Sequence, residues 1–296
     1  NDSDGNQAVL SYHVLGEGYG TAARKKTIEI KPNSDFTEYT FDLAGEEEWK
    51  GRIGGGLQRV DYRMTLVPTM KQRLAAPSDL VDLGGIAELR GIKTDGNAIV
   101  IGAMTTHAEV AHSASVKSAI PALAALADGI GDPAVRNRGT IGGSISNNDP
   151  AADYPAAIVG LNATVITNKR KIAADTFFKG MFETALEAGE IVTAVSFPKA
   201  DKAAYMKFPN PASRYAMVGV LVAKTGGQVR VAITGAGPSV FRQADMEKAL
   251  SANFSADAIK GVKVSSGGLN SDLHASAEYR AHLVGVMARR AVAACG

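Results

Sequence analysis

The first 63 residues differ from the rest of the chain in how apolar and polar positions alternate. Residues 9–14, 27–31 and 36–41 alternate β-branched or aromatic side chains with polar ones, and Gly or Pro-Asn turns separate them. Alternation with a period of two, bounded by turn residues, predicts short β-strands. We therefore expect a β-rich segment over residues 1–63, either a hairpin or part of a β-sandwich.

From Met64 onward, helical and strand periods follow one another in a sequence rich in Ala, Leu, Val and Gly. The predicted helices cover residues 68–74, 106–112 and 122–127. The predicted strands cover residues 98–103, a pair within 162–171, and then 191–197, 205–208, 217–223 and 229–234. Residues 175–180 are expected to link to a last domain, which contains the last four of these strands.

The last predicted element is a long amphipathic helix over residues 276–294. Its apolar face contains Leu283, Val286, Met287 and Val292, at the spacing of a helix that covers a core. Together these patterns indicate mixed helix and sheet, with domains over residues 64–174 and 175–296.

Composition and charge narrow the function classes. The chain has 296 residues, 45% apolar and 21% charged, with a net charge of +2, which is typical of a globular protein. Because positive and negative charges nearly balance, the composition gives no reason to expect a nucleic-acid backbone or an anionic membrane as partner. Apolar stretches are short, and the first thirty residues show no basic-then-apolar leader. We therefore expect no membrane insertion and a cytoplasmic location.

The stretch 131–155 contains the strongest candidate chemistry, with the sequences RGTIGGS at 138–144 and NDPAAD at 148–153. The pair Gly142–Gly143 lets the backbone turn without a Cβ, and we expect bare N–H groups there that could receive a pyrophosphate. Thr140 and Ser144 add hydroxyl donors. A Gly-Gly turn taken alone is more often structural, because glycine marks bulges and tight turns generally.

Charged residues flank this turn on both sides. Arg136 and Arg138 place positive charge before it, and Asp153 supplies an acceptor after it for a sugar hydroxyl or a ring N–H. The combination of hydroxyls, arginines and a carboxylate is more specific for an anionic cofactor than the glycines are.

These motifs resemble the second flavin-binding motif of the FAD-binding (medium) subunit of molybdenum hydroxylases, the carbon monoxide dehydrogenase and xanthine dehydrogenase group. The resemblance covers about residues 64–292. It also includes LVPTMK at 66–71, LVDLG at 80–84, IGA at 101–103, TTH at 105–107, KF at 207–208, RYA at 214–216 and SDLHASAEYR at 271–280.

The resemblance implies an α+β fold with FAD as cofactor. It implies an FAD-binding domain of the two-lobed, PCMH-type kind over residues 64–174, comprising the second lobe and part of the first. A C-terminal flavoprotein domain of antiparallel sheet plus helices follows over 175–296. The implied contacts to the FAD diphosphate are Thr140, Ile141, Gly142, Gly143 and Ser144. Asp153 is implied at the flavin end, with Lys207 and Tyr215 near the isoalloxazine ring.

One motif departs from the family. The family has an Ala-Gly-Gly-x-Ser/Thr turn that forms the other half of the phosphate site. Thr65 fits its Ser/Thr position, but Asp61, Tyr62 and Arg63 replace Ala-Gly-Gly. Residues 1–63 are therefore expected to be foreign to the family.

Other candidate sites have equally good structural explanations. His274, Glu278 and His282 follow helical spacing and offer three possible metal ligands, but an exposed helix face explains them as well, and we expect no metal. His107 either faces the flavin or only caps the next helix. No side chain is assigned a catalytic role.

Two functions follow from these expectations. In the first, the chain is an FAD-dependent oxidoreductase subunit that passes electrons from iron–sulfur centres to an external acceptor and does not oxidise substrate alone. Cys295 is its single cysteine and cannot by itself ligate a cluster. The resemblance implies an iron–sulfur small subunit and a molybdopterin large subunit as its partners. The alternative is a β-rich binding module fused to a remnant flavin domain that no longer binds FAD.

Overall fold

A computed structural model describes Gln7–Tyr12, Arg24–Glu29 and residues 81–295. Strands β1 (Gln7–Tyr12) and β2 (Arg24–Glu29) pair antiparallel, with Gln7 opposite Glu29. The first two strands expected from the alternation are thus confirmed, with shifted ends. The third strand at 36–41, the helix at 68–74, Thr65 and the Asp61–Arg63 tripeptide lie outside the described residues.

The first large sheet has five antiparallel strands in the order β3-β4-β9-β5-β6. They are β3 (Ile92–Asp95), β4 (Ala98–Gly102), β5 (Thr164–Thr167), β6 (Lys171–Ala173) and β9 (Val192–Pro198). Strand β9 is central and pairs with both β4 and β5. Residue 175, the expected start of the last domain, lies along the chain between β6 and β9 of this sheet. The strands of the second sheet begin only after Pro198.

Six helices connect β4 to β5. They are α1 (His107–His112), α2 (Ala114–Ala119), α3 (Pro121–Asp128), α4 (Pro133–Arg136), α5 (Ile141–Asn147) and α6 (Tyr154–Gly160). The predicted helices at 106–112 and 122–127 are confirmed. Apolar residues of α1, α3, α5 and α6 form one core with the inward residues of β4, β5 and β9.

Residues 175–180 are not a simple link. They form the end of a short helix, α7 (Ala174–Phe177), and the first strand of a hairpin made of β7 (Phe178–Gly180) and β8 (Glu183–Thr184). Phe177 is fully buried in the first core. Phe177 therefore attaches this segment to the core of the first sheet.

The second sheet has four antiparallel strands in chain order: β10 (Lys202–Pro209), β11 (Ala216–Thr225), β12 (Gln228–Thr234) and β13 (Phe241–Arg242). Strand β11 is buried on both faces. Val218, Val220 and Val222 belong to a second core, whereas Leu221 and Ala223 belong to the first. Successive strand residues point to opposite faces. The second sheet therefore lies between its own helices and the first unit, by which we mean the first sheet with the helices that share its core.

Helices α8 (Ala244–Ala252) and α9 (Ala277–Ala294) cover the outer face of the second sheet. The Ser276 hydroxyl accepts from Tyr279 N at 3.2 Å and caps α9. Leu283, Met287 and Val292 are buried and Val286 is partly buried, as the amphipathic pattern predicted. The whole is an α+β architecture, as expected.

Candidate functional site

A buried carboxylate joins the two sheets. Asp153 directly precedes α6 and is only 4% exposed. The Tyr205 hydroxyl donates to its Oδ1, and Lys207 Nζ lies 3.1 Å from its Oδ2. Because Tyr205 and Lys207 are two residues apart on β10, both side chains point to the face that meets the first unit. The second sheet thus holds a carboxylate that the first unit supplies.

Burial and the neighbouring charges have opposite effects on the pKa of Asp153. Burial raises the pKa of Asp153, while the Lys207 charge and the hydrogen bonds from Tyr205 and Lys207 lower it. Burial and the neighbouring Asp153 raise the pKa of the Tyr205 phenol well above its usual value, so this hydroxyl stays protonated and donates. Lys207 also donates to the Gly129 carbonyl at 2.7 Å. One of its three N–H donors remains available.

The loop before Asp153 is attached to the second sheet by hydrogen bonds that its backbone carbonyls accept. Gly235 N donates to Pro150 O at 2.8 Å, and Thr234 Oγ1 donates to Ala152 O at 2.6 Å. Ala216 N donates to Ala151 O at 3.2 Å. These bonds place residues 150–153 at the ends of β11 and β12, beside Tyr215.

Tyr215 lies at the open side of this junction, with 47% of its surface exposed. Burial of its hydroxyl, followed by the charges of Asp149 and Asp153, raises the pKa of its phenol. Tyr215 therefore lies close to the same carboxylates. The structure brings three predicted residues together here, namely Asp153, Lys207 and Tyr215.

The turn at 140–144 differs from the expected bare loop. Ile141 N donates to Thr105 O at 3.1 Å and Gly142 N to Ala103 O at 2.8 Å. Gly143 N donates to Thr140 Oγ1 at 3.2 Å, and Ser144 N to Thr140 O at 3.0 Å. The expectation of bare N–H groups is thus wrong, because Thr140 accepts the amides of Gly143 and Ser144, and residues 103–105, just after β4, accept those of Ile141 and Gly142.

Gly142 is required by packing. A Cβ at this position would lie 2.6 Å from Ala103 Cβ and 2.8 Å from Ala103 O. The side chain of Ile141 is fully buried in the first core. The half-buried Ser144 hydroxyl has no hydrogen-bond partner among the described residues, so it is the free donor of this turn.

His107 is a buried neighbour of the turn and does not cap the helix. Thr106 and Glu109 form the capping box of α1. The His107 ring contacts the Tyr154 ring at a centroid distance of 5.3 Å, and Gly139 leaves room for it. Burial and the charge of Arg136 lower its pKa to about 4, so the ring is neutral at pH 7.

The remaining candidates lie elsewhere. Arg136 donates to the carbonyls of Ile130 and Gly131 at 3.0 and 3.1 Å. His274, Glu278 and His282 are exposed, and within residues 81–295 no three His, Cys, Asp or Glu side chains are grouped as metal ligands.

Burial raises the pKa of Cys295 to about 11. In the part of the chain that is described, no helix is long and apolar enough to cross a membrane.

Sequence reasoning missed Tyr205. The available signal was the Tyr-x-Lys spacing on a predicted strand, since residues i and i+2 of a strand share a face. Lys207 was already a candidate, so its face neighbour two residues earlier was a candidate too.

Comparison with known proteins decides the family. Residues 63–200 match the family described as "FAD binding domain in molybdopterin dehydrogenase". The chain is 33% identical to the carbon monoxide dehydrogenase medium chain of Hydrogenophaga pseudoflava, over 82% of this chain and 90% of that relative. This chain belongs to the FAD-binding medium subunits of the molybdenum hydroxylase family. It is a subunit of an FAD-dependent oxidoreductase.

Two further comparisons extend this assignment. The nicotine 6-hydroxylase medium subunit of Paenarthrobacter nicotinovorans is 33% identical over 88% of this chain and 94% of that subunit. This share is about 260 residues, more than the 233 residues after position 63, so the match reaches into the segment that we expected to be foreign. Carbon monoxide dehydrogenase from Oligotropha carboxidovorans matches with a TM-score of 0.69 and 32% identity, over 78% of this chain and 86% of that one. The PCMH-type fold is confirmed.

The described residues fit FAD, the cofactor of the family. The Ser144 hydroxyl and the third N–H of Lys207 are unused donors. The Asp153 carboxylate accepts from Tyr205 and Lys207, and a carboxylate offers about four acceptor positions. Such a set suits a molecule that carries phosphate oxygens, hydroxyls and a flavin ring.

Proposed function

We propose that this chain is the FAD-carrying electron-transfer subunit of a molybdenum hydroxylase complex, passing electrons from iron–sulfur centres on a partner chain to an external acceptor. The observation that supports this proposal is the junction where Asp153, Lys207 and Tyr215 meet. Asp153 is buried and Lys207 is partly buried between the sheets, and Tyr215 is exposed at the opening. A cofactor held there has its inner end bonded to protein and its outer end accessible to other molecules.

Each residue has a distinct proposed task. Asp153 accepts a hydrogen bond from the flavin end, and Lys207 places its free N–H and its positive charge beside the ring. Tyr215 supplies an aromatic face, which packs well against a planar heterocycle. When bound, FAD supplies the exchange of electrons in one- and two-electron steps.

The turn at 140–144 is proposed to border the diphosphate. Ser144 donates through its free hydroxyl, and Thr140 and Gly143 maintain the turn from which it projects. Gly142 and Ile141 act through packing, which places α5 against the end of β4. Thr65 is proposed for the opposite side of the diphosphate, by its match to the family motif.

The partners are proposed to be an iron–sulfur small subunit and a molybdopterin large subunit. The relatives named above are medium chains or subunits, a naming that supports an assembly of several chains. With one cysteine, this chain cannot form an all-cysteine cluster of its own. Substrate oxidation would therefore take place on another chain.

The test uses the purified chain loaded with FAD. Absorbance at about 450 nm should report bound flavin. Rapid mixing with a chemically reduced plant-type [2Fe–2S] ferredoxin should bleach that band, and a dye acceptor should then restore it. Lys207→Met should weaken FAD binding at least tenfold, about 1.4 kcal/mol. Lys171→Met, on the exposed side of β6, is the matched control and should not.

Two results would contradict the proposal. A chain that takes up no flavin on reconstitution would favour the remnant flavin domain. A flavin-loaded chain that the reduced ferredoxin cannot bleach, although dithionite does, would exclude the one-electron route from a cluster.

A further inference from the structure

The hydroxyl of Tyr205 occupies a space that exists only because residue 219 is glycine. Tyr205 and Lys207 lie on β10, opposite Leu221 and Gly219 of β11 respectively. A Cβ at Gly219 would collide with the Tyr205 hydroxyl oxygen and would lie 2.9 Å from Thr234 Cγ2. Because Gly219 has no side chain, the Tyr205 phenol can lie against β11 at this buried position.

This placement gives Asp153 two different donors. The Tyr205 hydroxyl donates to Oδ1 and the Lys207 ammonium to Oδ2. A carboxylate held at both oxygens has little freedom to rotate about its last bond. Its orientation therefore depends on Tyr205 as much as on Lys207.

A second buried tyrosine provides a natural comparison. Tyr154 follows Asp153 in the chain and is fully buried. Its hydroxyl has no hydrogen-bond partner among the described residues, whereas that of Tyr205 donates to Asp153. The two phenols share the same neighbourhood and differ in whether they contact the carboxylate.

We propose that Tyr205, in the space left by Gly219, is a positioning residue that orients the Asp153 carboxylate toward the flavin end of the site. The inference rests on the proposed function, because Asp153 is taken there as a flavin contact. It adds a residue that acts through Asp153 without touching the cofactor.

The experiment compares Tyr205→Phe with Tyr154→Phe in the full chain. FAD dissociation constants come from titrations of flavin fluorescence, and visible circular dichroism reports the surroundings of the bound ring. Tyr205→Phe should raise the dissociation constant about tenfold and change the visible spectrum. Tyr154→Phe should stay within about twofold of the parent, with the parent's spectrum.

A double-variant cycle separates positioning from general packing. In an Asp153→Asn background, Tyr205→Phe should add less than about a twofold change, since its partner is already altered. Gly219→Ala should act like Tyr205→Phe because it displaces the phenol. If Gly219→Ala fails to fold, the tyrosine pair still decides the question.

The outcomes for the proposed function and for this inference are distinguishable. A parent chain that takes up no FAD overturns both. A parent that binds FAD, with equal dissociation constants and spectra for Tyr205→Phe and Tyr154→Phe, overturns only the positioning role. Full additivity of Tyr205→Phe with Asp153→Asn also overturns it, because the tyrosine would then act independently of the carboxylate.

Discussion

The buried imidazole of His107 should make the stability of this chain depend on pH in a measurable way. The ring is 5% exposed, and its pKa falls from 6.5 to about 4, because burial and then the Arg136 charge disfavour the protonated form. Between these two values the unfolded chain binds a proton that the native chain does not. The stability that the neutral ring contributes is therefore present above pH 6.5 and is lost as the pH falls toward 4.

The magnitude follows from the two pKa values. The full difference corresponds to about 3.4 kcal/mol, at about 1.36 kcal/mol per pKa unit. At about pH 5, where the unfolded form is almost fully protonated and the native ring is not, the loss is about 2 kcal/mol. That is a large share of the total stability of about 5 to 15 kcal/mol that is typical of proteins.

The assay is urea unfolding followed by far-ultraviolet circular dichroism at about pH 8 and about pH 5. Replacing the ring by an amide, in His107→Gln, removes the titrating group. The drop in the free energy of unfolding between the two pH values should then shrink by about 2 kcal/mol, whatever the stability of the variant itself. His282→Gln, on the exposed side of α9, should keep the parent's drop. An unchanged drop in His107→Gln would refute the reasoning.

Four other substitutions, one of them a control, test separate parts of the structure. Gly142→Ala should destabilise the fold by about 2 kcal/mol or more, because its Cβ meets Ala103 backbone. Gly261→Ala, with no atom within 4 Å of its Cβ, should change the urea midpoint little. Tyr215→Ala should alter the fluorescence and reduction potential of bound flavin without changing the free energy of unfolding by more than about 0.5 kcal/mol, and identical flavin properties would remove it from the site. Gly285→Ala should raise the free energy of unfolding by up to about 1 kcal/mol, since its Cβ meets only a guanidinium 3.6 Å away inside a helix, and a lower free energy of unfolding would contradict this.

Local pattern determined much of the fold. The amphipathic spacing of α9 and the apolar patterns of β10 to β12 were readable from the chain, because each depends on neighbours within a few positions. The motif order identified the family, and that prediction is confirmed.

Tertiary structure decided which sheet each strand joins and what each motif residue contacts. The pattern of 191–197 predicts a strand but does not specify its partners, and only pairing shows that β9 lies between β4 and β5. The glycine pair predicted an anion turn, yet Gly142 is required by Ala103, nearly forty positions earlier in the chain.

The candidate site shows the same division. Asp153 and Lys207 were visible as residue types in family motifs, but their contact spans 54 positions and requires both sheets to be formed. The spacing of Tyr205 and Lys207 places both on one strand face, but only the tertiary structure shows that Gly219, on the next strand, leaves room for the Tyr205 hydroxyl. Sequence thus determined the elements and the chemical groups, because those depend on local periodicity and on motif order. The hydrogen bonds and ion pairs between these groups depend on long-range packing, which local sequence patterns do not specify.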